Sequence, residues 1–341
     1  MTAKGSRRPS IYDVATLAGV SHSTVSRVLN DQPHISDSAR QRVLDAIEQT
    51  NFMPSSIARA LANKRAKRIG VVLDTSLQYG PNSTMRALES AARASGYAIT
   101  AYSVGDEDGV LGIDAGVDEL LAYGVDALCV IAPRLSSLES LRQRATGVPV
   151  LIMKSDPDAD MHTAAVDQRA GAMMVMKHLL DLGHRSIAHI AGPLDWYDAR
   201  ARERAWREAL AAALVTPVEP VIGDWSSASG YELGRSHDFG EATAIFAAND
   251  QMALGAIHGL MDRGLRVPED VSVVGFDDLP DSRHFLPPLT TVRQDFAALG
   301  ALAVELLVAA IEESPVPDRT MITPQLSVRA STAPPPSGSD P

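Results

Sequence analysis

The sequence predicts an α/β protein in two parts, an all-α N-terminal domain followed by a two-lobed core of doubly wound parallel sheets. Three observations predict it. Apolar residues between positions 11 and 50 recur at helical spacing in three short segments. From Ile69 onward, short apolar runs alternate with longer amphipathic ones, the pattern of strand–helix units in a parallel sheet covered on both faces. These units are too many for one small sheet, so two similar lobes with a cleft between them follow.

The first helix begins near Ile11, because Ser10 with Asp13 three residues on forms a capping-box pattern. Gly19 breaks the pattern where a tight turn needs a residue without Cβ clashes. A second helix covers about 21–30, with Ser21 as its N-cap and Thr24 and Arg27 on its polar side. Asp31 to Ile35 reads as a polar loop. A third helix starts after Ser36 and runs to about Thr50, with Val43, Leu44 and Ile47 closing a three-helix core. Two short helices joined by a tight turn, the second carrying small polar and basic residues, are the sequence form of a helix-turn-helix whose second helix enters the major groove of DNA. Pro54 then opens a two-turn helix, which is too short to be stable alone in water. Residues 53–68 are therefore expected to be a hinge that folds when docked on DNA, with Leu61 available as a wedge between base steps in the minor groove.

In the core, strands are predicted at 69–73, 98–102, 127–131, 148–152, 186–191, 244–247 and 271–276. Helices are predicted at 84–95, 110–123, 169–182, 199–213, 229–235, 251–263 and 297–312. Ligands of such sheets sit beyond the carboxyl ends of the strands. The boundaries are thus 1–52 for the DNA-binding headpiece, 53–68 for the hinge helix and linker, 69–332 for the core and 333–341 for a tail whose composition, APPPSGSDP, predicts disorder.

Hydrophobic residues make up 45% and charged residues 21%, as in an ordinary globular protein. No apolar run reaches the roughly 18 residues of a membrane span, and the basic N-terminus is not followed by the apolar segment of a secretory signal. The lone cysteine, Cys129, sits in the apolar run ALCVIA and reads as a buried hydrophobe. A cytoplasmic location is expected. The net charge of −11 divides unevenly: residues 1–68 hold 11 Lys/Arg and 5 Asp/Glu, while the remainder holds 20 and 37. A basic small end on an acidic body suits binding to a polyanion, with an affinity that falls steeply with salt.

The segments YDVATLAGVSHSTVSRVLN, SSIARALANKR, LGHRSIAHIAGP, GDWSSASG, AANDQMALGA and VSVVGFDDLPDSRHFLPPLTTVRQDF, in that order, resemble the LacI/GalR family of bacterial transcription regulators over residues 10–333. The resemblance implies a helix-turn-helix headpiece, a hinge helix and a core like that of periplasmic sugar-binding proteins. It implies a homodimer on a near-palindromic operator, with a small molecule in the cleft controlling DNA affinity. On this basis Ser21, His22, Ser23, Thr24, Ser26, Arg27, Asn30, Ser36 and Leu61 are the candidate DNA contacts, His22 and Ser23 being positions that choose operator bases. Arg200, Trp225, Asn249, Asp277, Gln294 and Phe296 match positions that contact or line the effector site. Carboxylates, amides and an arginine fork suit paired sugar hydroxyls, and a tryptophan face suits a sugar ring. Asp74 and Trp196 stand where a member of the family that the chain resembles has serine, and Lys154 stands where it has an acid. Lys154 could pair with Asp74 or Asp277, or meet an anionic substituent. The expected effector is a small sugar, galactoside-like or otherwise. The dimer is expected to use helices near 87–94 and 252–261. No leucine heptad follows the core, so no further assembly element is predicted.

Other readings fit less well. Asp250 reads mainly as the N-cap of a helix starting at Gln251, Asp278 as structural, and His184 as a packing histidine. His162, His178 and His189 lack metal-site spacing, and no metal or cofactor is expected. An enzyme is disfavoured because the GxGxxG, P-loop and GxSxG patterns are missing. A secreted sugar-binding protein would need neither the basic headpiece nor a start without a signal segment. Within the regulator class, a sugar that releases DNA is preferred over a corepressor that strengthens binding, although thermodynamics allows both.

Overall fold

A computed structural model describes residues 9–29, 32–52, 65–73, 78–105, 109–131, 134–142, 144–155, 161–315 and 320–336. Of the predicted site residues, Asn30, Leu61 and Asp74 lie outside the described residues, as does most of the predicted hinge. The chain divides into two compact units, 1–66 and 67–341.

The first unit holds α1 (Ile11–Ala18), α2 (His22–Leu29) and α3 (Asp37–Thr50). Ser10 and Asp13 form the reciprocal capping box, with Asp13 Oδ2 accepting the Ser10 N–H at 2.7 Å. Gly19 closes α1 in the left-handed region at φ 63. Ser21 Oγ accepts the Thr24 N–H at 3.1 Å, and Ser36 Oγ caps α3 through Ala39. Val14, Ala15, Ala18, Val25, Val28, Val43 and Ala46 form the core. Leu44 does not close this core as expected. It is 47% exposed, because Val43 and Ala46 already fill the three-residue helical spacing that faces α1 and α2.

The second unit contains two six-stranded sheets. The first lobe is built on β1 (Arg68–Leu73), α4 (Tyr79–Ala94), β2 (Ala98–Ser103), α5 (Gly109–Ala122), β3 (Ala127–Ile131), α6 (Leu135–Arg142), β4 (Val150–Met153) and β5 (His162–Val166). The second comprises α7 (Gln168–Asp181), β6 (Ile187–Ala191), α8 (Tyr197–Ala212), β7 (Val221–Ile222), α9 (Ser227–Ser236), β8 (Ala244–Ala247), α10 (Asp250–Asp262), β9 (Ser272–Asp277) and β10 (Thr290–Arg293). The chain then returns to the first lobe for α11 (Phe296–Glu312) and β11 (Met321–Ile322), and ends the second sheet with β12 (Gln325–Ser327). The strand orders are β11-β5-β4-β3-β1-β2 and β12-β10-β9-β8-β6-β7. Apart from the edge strands β11 and β12, both sheets repeat one topology, in which the first strand of each lobe sits between its second and third. All pairs are parallel except β10 with β12. β1, β3, β8 and β9 are buried almost throughout, as parallel strands covered on both faces require.

The polypeptide passes between lobes three times, at 166–168, 293–296 and 322–325. α11 buries Leu299, Leu302, Leu306 and Leu307 against the first sheet, and α7 buries Val175, Met176 and Leu179 beside Phe246 and Phe276 of the second. α9 and α10 approach so closely that a Cβ at Gly255 would overlap the Ser227 carbonyl.

Six strands or α-helices of the described core went unread, the two-residue β7 among them. α6 has the weak pattern LSSLESLR, β5 is only five residues long, and β10 to β12 hold between two and four residues each. The tail is ordered further than its composition suggests. The Ala333 carbonyl accepts from His184 Nε2 at 2.8 Å, and its N–H donates to Ser272 Oγ at 3.0 Å, so Ala333 is pinned to the second lobe. Of the helices expected at a dimer contact, α4 spends Leu88 and Ala92 in its own core, and α10 spends Met252, Ala256 and Leu260. Leu254 and Met261 remain outward, at 38% and 55% exposure. No described helix is long and apolar enough to cross a membrane.

Candidate functional site

In the first unit, α2 presents an outward polar face. Ser21, His22, Ser23 and Arg27 are exposed, and Thr24 and Ser26 are half-buried. Two predicted contacts have structural work as well: Ser21 and Ser36 cap α2 and α3. Sequence reasoning missed Tyr12. It is 64% exposed, and its ring lies 5.3 Å from that of His22, so the aromatic side chain extends the α2 face. The available signal was an aromatic residue off the Val14, Ala15 and Ala18 stripe of α1.

Between the sheets of the second unit lies a cavity that is partly open to solvent. The first lobe contributes Tyr79, Ile131, Met153 and Lys154, and the second contributes Trp196, Asp198, Arg202, Trp225, Asn249 and Asp277. Two crossovers complete the wall with Gln168, Gln294 and Phe296. Six predicted residues of the second lobe and crossovers, Trp196, Trp225, Asn249, Asp277, Gln294 and Phe296, therefore come together with Lys154.

Arg200 does not join them. It is half-buried and stands off the cavity wall, and Arg202 occupies the place assigned to it. The reason is helical phase. α8 starts at Tyr197 and buries Ala199, Arg202, Ala205 and Trp206, so Arg200 falls on another face. Asp250 also differs from expectation. Asn249 is the N-cap, its Oδ1 accepting the Met252 N–H at 2.8 Å. Asp250 is wholly buried and accepts from the Leu279 N–H at 2.8 Å and from the hydroxyls of Ser282 and Thr291, tying the segment after β9 to α10. The structural reading of Asp278 holds: it pairs with Arg329 at 2.6 Å. His184 is held between Thr243 and Ala333, each at 2.8 Å.

A buried relay runs through the cavity wall. Arg202 Nε donates to Gln168 Oε1 at 3.0 Å, Gln168 Nε2 donates to Gln294 Oε1 at 2.9 Å, and Gln294 Nε2 donates to Asp277 Oδ1 at 2.6 Å. A guanidinium can only donate and a carboxylate only accept, so the two ends fix both amide orientations. The relay links α8, the first crossover, the second crossover and the end of β9. Arg202 is buried, with its guanidinium 3.9 Å from the Phe276 ring centroid and bonded to the Ala248 carbonyl. Asn249 spends its amide on Trp225 O and Gln251 at 2.9 Å each, so it positions the Trp225 loop. Trp225 meets Trp196 edge to face, with centroids 5.9 Å apart at 70°. Trp225 and Asp277 both have positive φ, 74 and 118, a backbone region that residues with side chains adopt less readily than glycine. Lys154 is buried with its ammonium 5.1 Å from the Tyr197 ring centroid.

Burial pushes the Asp277 carboxyl up to about 6, against the pull of Arg202 and the Gln294 bond. Burial, then the charge of Asp277, pushes Asp250 up to about 7, although three donors oppose the rise. Folded-state values above the ordinary 3.8 mean that the native state holds these protons longer. Their contribution to stability is fully present below about pH 4 and is lost as pH rises through 6 and 7. The denaturant midpoint of the core should therefore fall between pH 5 and pH 8, and fall less in Asp277→Asn, which removes one titrating group. Equal falls in both proteins would contradict this assignment.

A helix-turn-helix unit joined to a two-lobed binding core defines a DNA-binding regulator controlled by a small molecule. Comparison with known proteins gives the same class. Residues 10–55 match the family described as bacterial regulatory proteins, lacI family, and residues 176–332 match the periplasmic binding protein-like domain. The chain is 35% identical to the lactose operon repressor of Escherichia coli (strain K12), over 96% of its own length and 91% of that protein's. It is 34% identical to the HTH-type transcriptional repressor PurR of Haemophilus influenzae (strain PittEE), over 94% and 98%. It superposes with a TM-score of 0.89, at 34% identity, on the lac repressor dimer bound to operator and the anti-inducer ONPF, covering 96% of this chain and 100% of that one. The chain belongs to the lacI family of bacterial regulatory proteins.

Proposed function

We propose that this protein is a transcriptional repressor of a sugar-utilisation operon. It acts in the cytoplasm as a homodimer on a near-palindromic operator, and a small galactoside-like sugar in the interlobe cavity releases it. Catalysis has no part in this role. The carrying observation is the cavity wall itself, where two tryptophan rings face a relay that ends in a buried carboxylate and a buried guanidinium. Aromatic faces take the apolar side of a sugar ring, and fixed acceptors and donors select its hydroxyls. The relatives named lactose operon repressor and lac repressor, the latter a dimer on operator, support the DNA partner, the dimer and the sugar class. A second reading, in which the ligand strengthens DNA binding, follows from the same coupling of two sites with the opposite sign.

The test is fluorescence anisotropy at fixed salt with labelled DNA from upstream of the gene, repeated with lactose, galactose, o-nitrophenyl galactoside and cellobiose. Tight binding weakened by a galactoside is the expected result. Tightening by a ligand would establish the second reading, and failure to bind the DNA at all would refute both.

A further inference from the structure

Beyond the three crossovers, the lobes also meet where Lys154 and the first-lobe core pack against Tyr197 and where the loop after β3 meets the start of α8. Arg134 follows β3 of the first sheet, and Trp196 follows β6 of the second. The two residues form an isolated antiparallel β-bridge. The Leu135 N–H donates to the Asp195 carbonyl at 2.9 Å. Arg134 Nε lies 4.0 Å from Asp195 Oδ2, and its guanidinium carbon lies 5.9 Å from the Trp196 ring centroid. Trp196 is also cavity wall and the N-cap of α8, its carbonyl accepting the Arg200 N–H at 3.1 Å.

We propose that this contact is an interlobe latch, and that Trp196 is the residue through which a ligand in the cavity acts on it. The proposal rests on the reading that a small molecule in this cavity controls DNA affinity. One residue carries three connections: its ring borders the ligand space, its backbone holds the first lobe, and its carbonyl starts the helix bearing Arg202. A ring displaced by a bound molecule therefore shifts the bridge to Arg134. The latch is thin enough to respond. Its ion pair is long and its side chains are 20% and 49% exposed, the kind of contact that solvent screens. A ligand with different affinities for the latched and unlatched arrangements then changes their populations.

The variant L135C/D195C tests this. The Leu135 N–H bond to the Asp195 carbonyl sets the backbones of these two residues side by side. Cα atoms of such a pair lie about 5.5 Å apart, within the reach of a disulfide. Neither side chain lines the cavity, and the one natural cysteine, Cys129, is buried. Diamide oxidation should form the cross-link, read as loss of two free thiols, and reductant should reverse it. With lactose as the probe, the reduced protein should lose operator affinity roughly tenfold, and the oxidised protein less than about twofold. Failure of the disulfide to form overturns the latch, and so does an equal lactose effect in both forms. Wild-type protein that ignores lactose would instead count against the lactose reading of the cavity. The latch would then be judged by operator Kd alone, a difference between oxidised and reduced forms supporting it and equality overturning it. If the double variant does not fold, Leu135→Pro, which removes the N–H that the Asp195 carbonyl accepts at a helix start where proline is tolerated, decides in the same way through operator Kd with and without lactose, since a wild-type value in both conditions would overturn the latch.

Discussion

Arg202→Ala is expected to destabilise the core by about 3–5 kcal/mol, the usual cost of leaving a buried charge without its counterpart. Arg202 is almost fully buried, and its charge opposes the upward push that burial exerts on Asp277. Its removal also takes the donor from Gln168 Oε1 and leaves the Ala248 carbonyl without a partner the structure now supplies. Asp277 should then protonate at higher pH than it now does. Arg202→Lys separates stability from recognition. It keeps the charge but lacks the planar fork that meets Gln168 and lies over Phe276. The lysine variant should fold and still bind operator, yet lose the sugar response. Thermal and denaturant melts, with operator titrations with and without sugar, distinguish these outcomes. An Arg202→Ala protein within about 1 kcal/mol of wild type would show that the relay is not the buried framework described here.

Arg27→Ala should weaken operator binding by about 1–3 kcal/mol, roughly ten- to a hundredfold, while leaving sugar affinity and the core melt unchanged. Arg27 is exposed on the last turn of α2, away from the buried Val25 and Val28, so its loss removes little packing and, on the proposed reading, a DNA contact. If Arg27 contacts phosphate, the salt dependence of binding should flatten by about one ion. If it reads a base edge, discrimination between operator and unrelated DNA should narrow instead. Parallel losses of DNA and sugar binding would place Arg27 in the fold and not at the interface.

The headpiece was legible because its signals are local. Ser10 with Asp13, Gly19 and Ser36 each fix a helix end within four residues of themselves. The buried strands were legible for a similar reason, since VVL, ALCVI and SVVGF are too apolar and too short for anything but a covered sheet. The cavity was legible only in part. Trp225, Asn249 and Asp277 sit at strand or helix ends, where sequence places ligand residues. Arg202 lies inside a helix, and finding it needed the phase of the Ala199–Arg202–Ala205 stripe and not the nearest arginine to the loop. Gln168 pairs with Gln294 across 126 positions, a contact that no local pattern encodes. The Arg134–Trp196 bridge is equally nonlocal, joining two loops of different sheets.

Calorimetric titration of the releasing sugar into the protein, free and saturated with operator DNA, tests the central claim of two coupled sites most directly. Binding linkage requires reciprocity: the factor by which sugar weakens operator binding must equal the factor by which operator weakens sugar binding. Sugar affinity reduced on DNA by the factor measured in the anisotropy titration is the predicted result. Identical sugar affinity with and without operator, while sugar still displaces the DNA, would contradict it.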